Sequence, residues 1–401
     1  MTEGIAGKRR WLTGVAVVAA LGTGVLAARN SLGLSLARTN PALASRIDPS
    51  NGAALGGAAL ARLQSDTSKQ GRAETVRIAR AALRRDPTAA SALSVIGLLA
   101  PTRVEAVRAI RQSEALTRRS LPTQLWLIED SVARGDITGA LHHYDVALRT
   151  SRVAPSFLFP VLVGAVSDPG ILPALADTLA RRPAWGGLFL QHLAQSGQDL
   201  PPIVRLFSLL QRRGVETGVA ATGTVYARLL ERNRFDLAWT LYQSRHPRAS
   251  RAGLRNGLFT DVPANPTPFD WQLSDTTAVT ARIETDATGG QLVFSGASGE
   301  GGEAARQLLL LAPGRHRVRA VVSDLQAPDD ARPYLRLSCA TGGAELSRQL
   351  LPDADTRGRA AALDVTVPAD CPAQWLSVVV QAPTSLGSVE GRLARVAVDR
   401  P

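Results

Sequence analysis

At 401 residues, with 45% hydrophobic and 20% charged, the chain is long enough for two or three domains and is not intrinsically disordered. Its formal charge of +12 is uneven: residues 251–401 hold 15 Arg against 17 acidic residues (−2), which leaves 31 basic and 17 acidic (+14) in residues 1–250. Only two lysines occur, the arginines are scattered over helix faces, and no aromatics interleave them, so nucleic acid is excluded as a partner. The basic half reads as a solvated helix surface, with an acidic polymer or an anionic lipid headgroup as the alternatives.

Lys8-Arg9-Arg10 precedes 18 residues, 11–28, without a charge. As a helix these span about 27 Å, close to one hydrocarbon core. The basic cluster then predicts a cytoplasmic segment 1–10 and a transmembrane anchor over 11–28. On this reading the protein is a single-pass inner-membrane protein with its bulk in the periplasm. A cleaved signal peptide, with Val25-Leu26-Ala27 at the cleavage site, is the alternative.

Residues 29–250 read as helical. A partial helix over 32–46 leads to Asp48-Pro49-Ser50, which returns as Asp86-Pro87-Thr88. Further breaks at Pro122 and Pro155 put successive prolines 38, 35 and 33 residues apart. Apolar periodicity predicts helices over 71–85, 89–100, 103–119, 123–134, 137–149, 158–166, 170–181, 185–195, 203–213, 224–232 and 234–245. A period near 34 built from two helices signals a hairpin array. Ala140, Tyr144 and Ala147, with Ala79, Ala82, Ala106 and Ile110 in related places, resemble the second-helix pattern of the tetratricopeptide repeat family. The Trp, Gly and Tyr of that family's first helix are mostly missing, and Trp126 stands one step out of register. The resemblance implies an all-α solenoid whose concave surface takes a protein partner.

From about residue 251 the pattern changes to short β-type runs between Gly, Pro and Asp clusters. Strands are predicted over 279–284, 291–295, 305–311, 316–323, 334–339, 359–367, 376–382 and 394–399, and residues 315–322 alternate at period two. Eight short strands predict an antiparallel β-sandwich over 251–401. The two cysteines, Cys339 and Cys371, both fall here. A disulfide between them closes a loop worth about 3–4 kcal/mol and suits an exported domain; two unpaired buried thiols are the alternative.

No catalytic set stands out, and no cofactor or metal site is expected. His142 and His143 are adjacent, so on a helix they leave about 100° apart and do not chelate as an i, i+4 pair does. Two cysteines without a neighbouring Cys or His pair do not complete a zinc site. The sandwich opens with Asn256-Gly257-Leu258-Phe259 and Pro268-Phe269-Asp270-Trp271-Gln272-Leu273, and its last run ends in Val398-Asp399. These residues resemble the jelly-roll carbohydrate-binding modules. The resemblance implies a jelly-roll sandwich that stacks sugar rings on Phe269, Trp271, Tyr334 or Trp375, with Asp270 and Gln272 as hydrogen-bonding neighbours. Packing of Trp271 in the core is the alternative.

The whole arrangement is similar to bacterial membrane-anchored repeat proteins of exopolysaccharide or O-antigen production. It implies a non-enzymatic periplasmic scaffold in polysaccharide assembly or export, with glycan at the β-domain. The rival readings are an envelope adaptor with a purely structural sandwich and a glycan-active enzyme, which needs two carboxylates roughly 5–10 Å apart.

Overall fold

The turn that repeats in the sequence repeats in space. In the computed structural model, which describes residues 27–29, 31–32, 35–36, 39–286, 289–382 and 388–399, Asp48 closes α1 (Pro41–Ile47). After α2 (Gly52–Ser65), Asp86 closes α3 (Lys69–Arg85) in the same way. Each carboxylate accepts from the backbone N–H and the hydroxyl two residues on, of Ser50 and of Thr88, at 2.5–3.1 Å. Such a turn ends a helix, and the proline between cannot extend it. New caps then start the next helices: Asn51 accepts from Ala54 N–H at 3.0 Å, and Ser68 from Gly71 N–H at 2.9 Å.

The helices continue as α4 (Ala90–Leu98), α5 (Arg103–Leu116), α6 (Leu121–Ala133), α7 (Ile137–Thr150), α8 (Pro155–Ala165), α9 (Leu172–Ala180), α10 (Gly186–Ser196), α11 (Leu200–Arg212), α12 (Val219–Glu231) and α13 (Phe235–Arg245). α2 is absent from the predicted helices because its glycines argue against helix on propensity. Tertiary packing decides instead. A Cβ on Gly52 would lie 2.4 Å from Asp86 Cβ, and one on Gly56 3.0 Å from Ala92 N, so only glycine lets α2 sit this close to its neighbours.

Contacts divide the chain into two compact units. The first ends at Leu162 and takes in Pro173–Trp185; the second holds Val163–Leu172 and the described residues from Gly186 on. The sandwich shares its unit with α10–α13. In the first unit, small side chains (Ala59, Ala79, Ala82, Ala92) fill the closest helix contacts. Ser94, Ser113 and Thr123 join α4, α5 and α6 through buried hydroxyls 2.7–3.0 Å apart.

The membrane anchor requires correction. Among the described residues no helix is long and apolar enough to cross a membrane, and residues 11–26 of the expected segment 11–28 lie outside them. The apolar α8 has 11 residues, about 17 Å, against a hydrocarbon core of about 30 Å. A single-pass inner-membrane location is not supported.

The sandwich contains β1 (Gln272–Leu273), β2 (Val279–Asp286), β3 (Gly289–Gly296), β4 (Gly302–Leu309), β5 (Gly314–Gln326), β6 (Tyr334–Cys339), β7 (Glu345–Leu350), β8 (Arg359–Val367), β9 (Gln374–Val380) and β10 (Val389–Asp399). One sheet runs β1-β4-β9-β6-β7 and the other β2-β3-β10-β5-β8, and every pairing is antiparallel. Inward residues such as Phe294, Val318, Leu335, Leu376 and Leu393 pack between the sheets. Cys339 and Cys371 form a disulfide that ties the end of β6 to the loop before β9.

The Asn-Gly-x-Phe opening serves this packing. Asn256 has a positive φ of 48°, a conformation asparagine tolerates, and its side chain accepts from Thr260 and Asp261 N–H at 2.9 and 3.2 Å. Gly257 C=O accepts from Val396 N–H of β10 at 2.8 Å, and Phe259 is fully buried. A Cβ on Gly257 would lie 2.1 Å from Val396 O. Gly257→Ala is therefore expected to cost about 2 kcal/mol or more in urea unfolding. Gly253→Ala, where a Cβ meets nothing within 4 Å, should change the midpoint little.

Candidate glycan-binding face

The segment Pro268–Leu273 splits its side chains between three jobs. Phe269, 1% exposed, inserts against α13, with its ring 5.1 Å from Trp239 in a T-shaped contact and 5.2 Å from Tyr242. Asp270 accepts from the Tyr242 hydroxyl at 2.9 Å and from Thr267 N–H and Oγ1 at 3.0 and 2.8 Å. Trp271, 2% exposed, turns into the sandwich core beside Phe259, 5.6 Å away. Phe269 and Trp271 thus offer no face to a sugar, and Asp270 is occupied in joining α13 to the sandwich. Phe269 and Asp270 form a structural joint with α13, and Trp271 takes the core packing that was the alternative to a glycan contact, because α13 and the core supply apolar surface that stabilises buried aromatics more than water does.

Gln272, Trp375 and Tyr334 are placed differently. Along β6 the inward residues Leu335 and Leu337 belong to the core, so Tyr334, Arg336 and Ser338 point out of the first sheet. Trp375 pairs with Ser338, Ser377 with Arg336, and Arg306 with both Ser377 and Gln272, which puts all of them on that outer face. Trp375 and Tyr334 stand about 13 Å apart along the strands, at 3.3 Å per residue.

Polar groups fill the space between the rings. Glu303 Oε1 accepts from Arg336 Nη2 at 2.8 Å and from Ser377 Oγ at 2.6 Å, while Arg306 Nη1 lies 3.5 Å from its other oxygen. The Arg306 guanidinium sits 4.5 Å from the centre of the Trp375 ring, and its Nε donates to Gln272 Oε1 at 3.0 Å. Arg348, held by Glu345, lies 4.8 Å over Tyr334. Such arginine–ring contacts are worth about 0.5–1 kcal/mol at exposed sites, so a ligand can displace them. Tyr334 is largely covered, whereas Trp375 is half-buried and meets solvent. Glu303, Arg306, Arg336 and Ser377 escaped the sequence reading. Their signal is polar side chains at outward positions of otherwise apolar strands.

Trp375, Arg306 and Gln272 also wall a cleft of about 480 Å³, whose other side is Tyr226 of α12, Tyr242 and His246 at the end of α13, and the loop through Asn265. The volume falls within the range of about 300–1,000 Å³ common for small-molecule sites. Burial, reinforced by the Asp270 carboxylate, pushes the Tyr226 and Tyr242 phenols up, so both remain protonated donors. His246 stacks on Tyr242 with ring centres 4.4 Å apart. Burial holds this imidazole below its usual range, with Asp270 opposing and Arg255 and Arg245 assisting.

A depressed histidine contributes stability that is fully present above the unfolded value of about 6.5 and is lost as pH falls below it. The urea midpoint should therefore drop between pH 7.5 and 5.5, and drop less in His246→Gln. An equal drop in both proteins would remove His246 from the account.

No family model matches the chain, and no curated protein matches it. Solved structures similar to it include carbohydrate-binding modules. A CBM4 module is 16% identical, with a TM-score of 0.27 over 36% of this chain and 98% of its own. The module TmCBM61, in complex with β-1,4-galactotriose, is 14% identical, with a TM-score of 0.24 over 38% of this chain and 97% of its own. The enzymatically active domain of bacteriophage CBA120 tailspike protein 4 is 16% identical, with a TM-score of 0.27, and this chain spans 20% of it. Function therefore rests on the residues of the sheet face themselves.

Proposed function

We propose that the outer face of the first sheet binds glycan, without catalysis, with a sugar ring against Trp375 in the cleft. The observation that carries this reading is Trp375 itself: a half-buried indole beside hydrogen-bonding Arg306 and Gln272, in a cleft of about 480 Å³. A sugar packs its C–H face on an aromatic ring while its hydroxyls need polar partners, and this corner supplies both. Of the residues lining the cleft, Glu216 is the one with a carboxylate, which favours binding over the paired-carboxylate chemistry of glycosidases.

A purely structural sandwich is the rival, and the burial of Phe269 and Trp271 favours it. Screening the full chain against immobilised neutral and acidic polysaccharides separates the two. Saturable binding to at least one of them is the expected result. A folded chain that binds none would leave the structural role.

A further inference from the structure

His142 and His143 leave α7 about 100° apart, too divergent to form a two-histidine chelate from their spacing alone. The fold adds a residue that the sequence does not place near them. Glu114, close to the end of α5, comes alongside, and one ligand atom from each of Glu114, His142 and His143 lies within 4.8 Å of the others. His143 Nδ1 is 3.5 Å from Glu114 Oε1 and 2.9 Å from Gln124 Oε1 of α6. Gln124 is fully buried, and its amide nitrogen donates to the Arg118 carbonyl at 3.5 Å, which turns its oxygen toward His143. The two imidazole rings meet edge to face, 5.2 Å apart.

We propose that Glu114, His142 and His143, with Gln124 Oε1 as a fourth donor, form a binding site for a divalent transition-metal ion of the zinc type. Two imidazoles, a carboxylate and an amide oxygen suit Zn²⁺, Co²⁺ or Ni²⁺, whereas Ca²⁺ and Mg²⁺ call for all-oxygen sets. Tetrahedral bonds of about 2.0–2.2 Å hold ligand atoms roughly 3.3 Å apart. The His143–Glu114 pair is already at 3.5 Å. The remaining closure falls to His142, which is exposed and can turn about its side-chain bonds. An ion would take the place of the His143 Nδ1 proton, which moves to Nε2, so that Nδ1 and Gln124 Oε1, 2.9 Å apart, both turn to the metal while the helix contact holds Glu114 beside them. An entry path exists as well: His142 lines an open cleft of about 570 Å³ and is reached from solvent through it.

The test uses the full chain, stripped with chelator and titrated calorimetrically with Zn²⁺, beside His142→Ala, Glu114→Gln and a control, His192→Ala. Far-UV circular dichroism and the urea midpoint of each metal-free protein establish that it is folded. One Zn²⁺ per chain is expected. Affinity should fall by about tenfold or more in His142→Ala and in Glu114→Gln, and stay unchanged in His192→Ala. Co²⁺ should give the visible absorption of a tetrahedral ion in the wild type and lose it in His142→Ala. Absence of stoichiometric uptake, or wild-type affinity in both site variants, would overturn the proposal and leave a His143–Gln124 hydrogen bond with no ion.

Discussion

Phe269→Ala is expected to lower the unfolding free energy of the full chain by about 3–5 kcal/mol, the cost of emptying a buried aromatic site. The side chain is 1% exposed, and its neighbours Trp239 and Tyr242 are rigid rings that cannot collapse into the space. Asp270, one residue on, takes the Tyr242 hydroxyl, so loosening Phe269 also strains that hydrogen bond. The loss should appear in urea as a lower midpoint, with α13 and the sandwich no longer melting in one transition. A loss below about 1 kcal/mol would mean that this segment is not the joint described and would reopen Phe269 as a surface residue.

Trp375→Ala is expected to act in the opposite manner. The ring is half-buried on the outer face, with Arg306 over it and the inter-sheet core untouched behind it. Stability should change by about 1 kcal/mol or less. Affinity for whichever polysaccharide the full chain binds should fall roughly tenfold or more, because removing an aromatic anchor from a binding cleft commonly costs about 2 kcal/mol. Tyr334→Ala should weaken binding less, since that ring is 8% exposed and lies under Arg348. Isothermal titration with each folded variant measures both effects. Unchanged affinity in Trp375→Ala would remove the sugar from this cleft.

The readable parts of the fold are those in which burial follows a local period. Arg359–Val367 matches its predicted strand residue for residue because its burial alternates against the core, and Tyr334–Cys339 matches as a short run buried almost throughout. β7 escaped prediction because it lies at the edge of its sheet, where Glu345, Ser347, Arg348 and Gln349 carry no apolar alternation. α2 escaped because its glycines are chosen by contacts with Asp86 and Ala92, far along the chain. The same non-local logic governs the site. Trp375 is legible as an aromatic residue at the start of a strand, and Gln272 and Tyr334 reach the same sheet. Phe269 and Trp271 look identical to it in sequence, yet α13 claims one and the core the other. Glu114 shows the converse, since nothing near His142 in the sequence announces it.

The most direct test of the account is hydroxyl-radical footprinting of the full chain with and without a saturating polysaccharide to which it binds. Protection concentrated on Trp375, with Tyr334 following and Phe269 and Trp271 unreactive in both states, is the predicted result. Protection confined to other residues, with Trp375 oxidised equally in both states, would contradict it and place glycan, if bound at all, elsewhere on the chain.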